Sequence, residues 1–425
     1  MSCGPASGRA RPLPQGTLAT LGDEGFRLFF PLAALYAALF PALWVIAWGF
    51  DLPLARAVPP SLWHAHEMLI GAFGAALIGF VTTAASEWTD TQPPRGRPLW
   101  ALAGLWTVGR IVGLFGWDAI GLVGAVADLA WMAALIVWLI ALSIRRRTDR
   151  LVAFVFWLAL LAACTTAGRL GFATGDLALA TTGIHLAGLA FLGLLGLALS
   201  RVTVPVTNLV LDPTERTSPF RPHPGRLHLA PGLVLVMIAG EVLGASPAVS
   251  AWLLIAAGAA FMDRVGEAFI GREALRAEIV MLAGSSAFAG AGLILAGAAR
   301  LGAPWPEVTG LHVAFMGGLG LGVYTVFCIA GLLHTDRPLG LMPIVKAGGV
   351  LLVLSVFLRV APDFGVRTPW IAQGLASLSW LGAFVLWVVA YWPFVIQISE
   401  HEDPETDALA SALAAAKPDY GQAAE

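Results

Sequence analysis

Apolar runs of about 20 residues, broken by short polar connections, follow one another along almost the whole chain, and none shows strict two-residue alternation. A helix needs about 20 apolar residues to cross roughly 30 Å of hydrocarbon, whereas a barrel strand alternates polar and apolar positions. The pattern therefore predicts helices at about 28–48, 64–85, 99–116, 119–142, 151–172, 177–199, 229–243, 248–262, 277–298, 307–333, 340–361 and 369–397. The seventh and eighth are short and separated only by Gly244 to Val249. The expected fold is an all-α membrane protein, a twelve-helix transmembrane bundle. Its single membrane domain, 28–397, would lie between cytoplasmic tails at 1–27 and 398–425.

Composition agrees. Of 425 residues, 58% are hydrophobic and 12% charged, where a soluble domain carries about 25% charged residues. Basic residues test the helix count independently, because Lys and Arg concentrate in cytoplasmic loops. With both termini inside, eighteen of the 25 fall on the inside, three outside (Arg56, Arg300, Arg367) and four within helices (Arg110, Arg169, Lys346, Arg359). That bias implies that both ends are cytoplasmic. The net charge of −2 gives no support to a nucleic-acid partner, so the lipid bilayer is the expected surroundings. Cys3, Cys164 and Cys328 suggest no disulfide framework, and without a C-x-x-C-H motif any haem would be held non-covalently. The segment from Arg201 to Arg226, with Pro205, Pro213, Pro219 and Pro222, reads as the longest polar connection and as the boundary between two halves.

Ionisable side chains in a membrane segment are costly, and a function is their default explanation. The stretch WHAHEM (63–68) puts His64, His66 and Glu67 at the outer mouth of the second helix. His185 lies about two turns into the sixth and His312 about one turn into the tenth. Each is also readable as an ordinary interfacial residue, but four at one depth suit metal or haem ligation by neutral imidazole. His64 and His66 are two residues apart, about 200° around a helix, so they cannot share one metal. Aligned on His66, His185 and His312, the second, sixth and tenth helices each have a glycine eight residues on, Gly74, Gly193 and Gly320. This suggests a threefold repeat of four-helix units. Arg359, with Arg367 just beyond it, would suit haem propionates, while Asp128 and Glu241 are candidate ion-pair partners for Arg110 and Arg169.

Four segments carry a family resemblance: GFRLFFPLAALYA (25–37), WHAHEMLIGAFGAALIGFVTTA (63–84), RVTVPVTN (201–208) and LHTDRPL (333–339). The chain resembles the NnrS family of bacterial membrane proteins over nearly its whole length. That resemblance implies a twelve-helix inner-membrane protein that binds haem b, with copper as a further candidate, and responds to nitric oxide and nitrosative stress. The histidine placement is similar to that of haem-copper oxidase catalytic subunits. Carried over by position, His66 and His312 would be the haem pair, with His64 and His185 serving a second haem or copper. Glu87 and Asp90 stand where the family pattern has asparagine and glycine beside Trp88, and the seventh helix lacks a histidine pair. Oxygen reduction is therefore not supported, while redox chemistry of the nitric oxide reductase kind is left open. A proton-coupled secondary transporter without haem is the alternative from another class.

Overall fold

Prolines and small caps set the helix limits. A computed structural model describes residues 16–49, 58–115 and 120–397. After a short helix at Thr17–Leu21, the principal helices are α1 (Gly25–Gly49), α2 (Pro60–Trp88), α3 (Arg97–Phe115), α4 (Gly121–Arg146), α5 (Val152–Thr174) and α6 (Leu177–Leu211). There follow α7 (Arg226–Val242), α8 (Pro247–Arg264), α9 (Ala277–Arg300), α10 (Glu307–Leu333), α11 (Pro343–Val360) and α12 (Pro369–Val395). Proline opens α2, α8, α11 and α12, where its missing N–H is an orphan in any case. Asp176 caps α6 by accepting from the Leu179 amide at 3.0 Å. Asp90, in the glycine position of the family pattern, takes a left-handed φ of 49°, a region that glycine enters freely and aspartate tolerates.

Ten of these helices are long and apolar enough to cross a membrane. The expected seventh and eighth helices appear as two separate elements, α7 and α8. However, α3 and α7 are not among the ten. The 17 residues of α7 span only about 25 Å. The greatest departure from the expected limits is at α6, which continues through Pro205 to Leu211. The RVTVPVTN stretch is thus helical, and the polar connection begins only at Asp212. Asn208 in the last turn fixes the start of that connection: its amide donates to the Phe220 carbonyl at 3.2 Å and accepts from the Phe220 N–H at 2.8 Å. The expected tail at 398–425, with His401, lies outside the described residues, as do residues 1–15 and Arg56.

The first helix packs between α2 and the last helix, α12. Arg27, almost fully buried, donates to the carbonyls of Phe394, Val395 and Gln397 at 3.2, 2.9 and 2.7 Å. Those are orphan carbonyls at a helix C-terminus, where a cation is favoured. Several arginines that the sequence assigns to the inside gather at this end. Arg150 donates to the Trp88 carbonyl, Arg201 lies over the Trp88 ring, Arg276 donates to the Leu339 carbonyl and Arg337 lies over Phe394.

The repeat expected among three helices is carried by two of them. In α2 and α10 the α-helix gives way to π-helix directly after the histidine, over Glu67–Phe73 and Val313–Gly320. Such wide turns are frequent at functional sites. In both, a side chain from another helix takes up a carbonyl of the widened segment: Trp106 Nε1 donates to Gly71 at 2.9 Å and Ser285 Oγ to Gly318 at 2.7 Å. By contrast, α6 is uninterrupted α-helix around His185. Gly74, Gly193 and Gly320 do share one property, since an indole, from Trp131, Trp157 and Trp380 respectively, packs against each backbone.

Candidate functional site

Three polar clusters lie at the end of the bundle opposite to Arg27, the end the sequence assigns to the outside. The deepest is built on Glu67, the residue after His66. Tyr36 on α1 donates to Glu67 Oε2, and Arg110 Nη1 on α3 donates to the same oxygen at 2.6 Å. The other arm of Arg110 reaches Asp128 Oδ1 on α4, and Arg169 on α5 donates to Asp128 Oδ2. His66 lies between the two carboxylates, with Nδ1 3.0 Å from Glu67 Oε1 and Nε2 3.5 Å from Asp128 Oδ2. Phe172 closes on the ring edge-on at 6.0 Å. Two guanidinium groups thus face two carboxylates, a balanced set in a site where an unpaired charge is heavily penalised.

The local sequence makes room for this network. Gly109 and Gly113 flank Arg110 on α3. A methyl at Gly109 would collide with the Asp128 carboxylate, and one at Gly113 with that of Glu67. This is close approach by small residues four apart, as in membrane helix packing generally. Sequence reasoning flagged Arg110, Arg169 and Asp128 as intramembrane charges but missed Tyr36 and the two glycines. The G-x-x-x-G spacing around Arg110 was the available signal.

The second cluster holds His64 and His312. The His64 ring lies near-parallel to Phe40, with centroids 6.1 Å apart. Arg359, near the C-terminus of α11, is within electrostatic reach of both imidazoles, and His64 within reach of His312. His312 Nδ1 lies 2.8 Å from the Val308 carbonyl. Donation there leaves Nε2 as the lone-pair nitrogen, the arrangement by which a backbone carbonyl fixes the tautomer of a metal-ligating histidine. Thr309 donates to Asp363 Oδ2 at 2.6 Å, tying α10 to the turn after α11, and Asp363 in turn lies within electrostatic reach of Arg359. Arg367 is exposed in the connection to α12.

The third cluster surrounds His185. Its Nε2 lies 3.2 Å from Glu241 Oε2, and Arg300 bridges Glu241 and Glu307, the latter at 2.7 Å. Arg300 was assigned only to an outside loop, and Glu241 was matched with Arg110 or Arg169. Asp128 alone takes both of those arginines, because α4 lies beside α3 and α5.

The grouping differs from the positional expectation. His312 shares its surroundings with His64 and not with His66, because the rings at i and i+2 look to different sides of α2. His66 is held in the ionic network, and His185 stands in a third group. Among the described residues no three His, Cys, Asp or Glu side chains converge as metal ligands.

A helical bundle with ten helices long and apolar enough to cross a membrane defines a polytopic membrane protein. Within that class, the NnrS protein family model matches residues 20–398, nearly the whole chain, and the protein belongs to the NnrS family. No curated protein and no solved structure matches it.

Proposed function

We propose that this NnrS family protein binds haem b non-covalently and, through it, nitric oxide, as part of a bacterial nitric oxide response. The observation that carries the reading is His312: its Nδ1 is committed to the Val308 carbonyl, its Nε2 is left as the lone-pair nitrogen that can ligate a metal, and His64 and Arg359 stand beside it. His312 and His64 would hold the iron, one of them giving up its place when the gas binds, and Arg359, with Arg367 beyond it, would meet the propionates. A bound haem supplies an iron that takes up a small neutral gas. The chain's own contribution is to fix the imidazole tautomer, to aim the ring from the start of a π-helical segment, and to present a guanidinium fork to carboxylates. The His66–Glu67–Arg110–Asp128–Arg169 network would then support α2 from its other side. In this reading α3 and α7 also cross the inner membrane, both termini are cytoplasmic, and the histidines face outward.

The test is the visible spectrum and iron content of the protein purified in detergent. We expect a Soret band and bound iron, lost in His312→Ala and His64→Ala but kept in His66→Ala. Absence of both from the native protein would sink the reading. The buried ionic network favours one alternative, a proton-coupled transporter without haem, since intramembrane carboxylates and guanidiniums mark ion pathways. Proton-dependent solute accumulation in vesicles of haem-free protein would identify it.

A further inference from the structure

Below the histidine level lies a partly open apolar cavity of about 60 Å³, lined by residues of α1, α2, α5, α6 and α10. Aromatic pairs form much of its wall: Phe73 against Phe191 (6.3 Å between centroids), Phe80 against Phe154 (6.2 Å) and Phe30 against Phe327 (4.3 Å). Two lining residues belong to the π-helical segments themselves. Phe73 ends the one that follows His66, and Leu319 lies in the one that follows His312. The widened turns that begin at the histidines therefore also shape the roof of this cavity.

We propose that the cavity is a binding site for a small apolar gas molecule, and that it holds nitric oxide in reserve beneath the site of His64 and His312. The identity of the gas rests on the function proposed above; the existence of the site does not. Size and lining select the class of occupant. Water needs two to four polar partners and the lining side chains are all apolar, so the cavity stays dry. A quinone head or a macrocycle needs a pocket of roughly 300 Å³ or more, which is far larger. A cavity of about 10–15 Å³ already holds a water-sized molecule, so one of diatomic size fits here. Such a molecule enters from the bilayer, where apolar gases concentrate, without crossing a polar barrier.

Xenon is the probe, used on the full-length protein in nanodiscs, with its position read by anomalous diffraction from pressurised crystals. We expect xenon between Phe73, Phe191 and Phe327, and its loss in Ala76→Leu and in Ala198→Leu, each of which puts an isobutyl group into the cavity. The two variants fill it from different helices, so misfolding of one leaves the other to decide. A lipid or detergent tail ordered in the cavity, or xenon binding unchanged in either folded variant, overturns the site. In haem-loaded protein, geminate rebinding of nitric oxide after photolysis should fall several-fold in the filled variants. Xenon bound there with rebinding unchanged would overturn the reserve role. A protein that carries no haem would defeat the functional reading and leave the xenon result standing.

Discussion

Replacing Asp128 by asparagine would keep the shape of the side chain and remove one charge from the centre of the deepest cluster. The carboxylate is fully buried and takes one arm from Arg110 and one from Arg169, whose side chains are 2% and 11% exposed. In the variant two guanidiniums face Glu67 alone, and a surplus positive charge stays inside. Breaking a buried pair from one side costs about 3–5 kcal/mol. A single charge pair 4 Å apart at an effective dielectric of 20 is worth about 4 kcal/mol, the same size. The internal control is Arg226–Asp263, an ion pair at 2.7 Å with side chains 32% and 42% exposed. Asp263→Asn there should cost no more than about 1 kcal/mol. Equilibrium unfolding in mixed micelles, titrated with a denaturing detergent, measures both. The double variant Asp128→Asn/Arg169→Met restores the charge balance and should recover more than half of the loss. The reasoning fails if Asp128→Asn costs no more than Asp263→Asn, or if the double variant is as unstable as the single one.

Two further substitutions test the supporting geometry. Gly113→Ala places a methyl group on the Glu67 carboxylate and should destabilise by about 1–3 kcal/mol. Gly104→Ala on the same helix meets nothing within 4 Å and should stabilise by about 0.5–1 kcal/mol; equal effects in the same unfolding assay would refute the close approach. His334, just beyond the end of α10, stacks on Phe26 at 5.1 Å. Burial, reinforced by the charge of Arg27, pushes its imidazole from the usual 6.5 down to about 4, and Asp336 opposes this without reversing it. Between those values the unfolded chain binds the proton and the folded one does not. The stability from the neutral ring is therefore complete above pH 6.5 and is lost as pH falls towards 4. His334→Phe keeps the stack and should flatten the stability profile in that window, and an unchanged slope would reject the assignment.

The class of fold was legible because hydrocarbon thickness sets helix length directly, and the charge bias marked which loops share a side. Proline misled at one place. Pro205 lies in a stretch where Arg201, Thr203, Thr207 and Asn208 are interleaved with valines and reads as loop, yet α6 carries on past it to Leu211, and Asn208 then closes the turn onto Phe220. The candidate site was legible only in its inventory. WHAHEM, Arg110, Arg169 and Asp128 stand out as charges in apolar surroundings, but which charge meets which depends on helix neighbours, and those are set by packing across the whole bundle. Hence Asp128 found both arginines while Glu241 found Arg300, a residue with no intramembrane signal of its own.

The two-residue spacing of His64 and His66 carried more than the positional analogy did. The angle alone requires the rings to look to different sides of α2, whereas analogy paired His66 with His312. In the structure Glu67 is the residue that gives the angle its consequence. It follows His66 directly, begins the π-helical segment, and draws in Tyr36 and Arg110 on the side away from His312. His66 is held there by its own neighbour. His64 is thereby left as the histidine of α2 within electrostatic reach of His312, where the second π-helical segment begins. In the proposed function the widened turn of α10 would aim His312 at the haem site while the helix below it stays closely packed, whereas the uninterrupted α-helix around His185 carries its histidine to a different cluster.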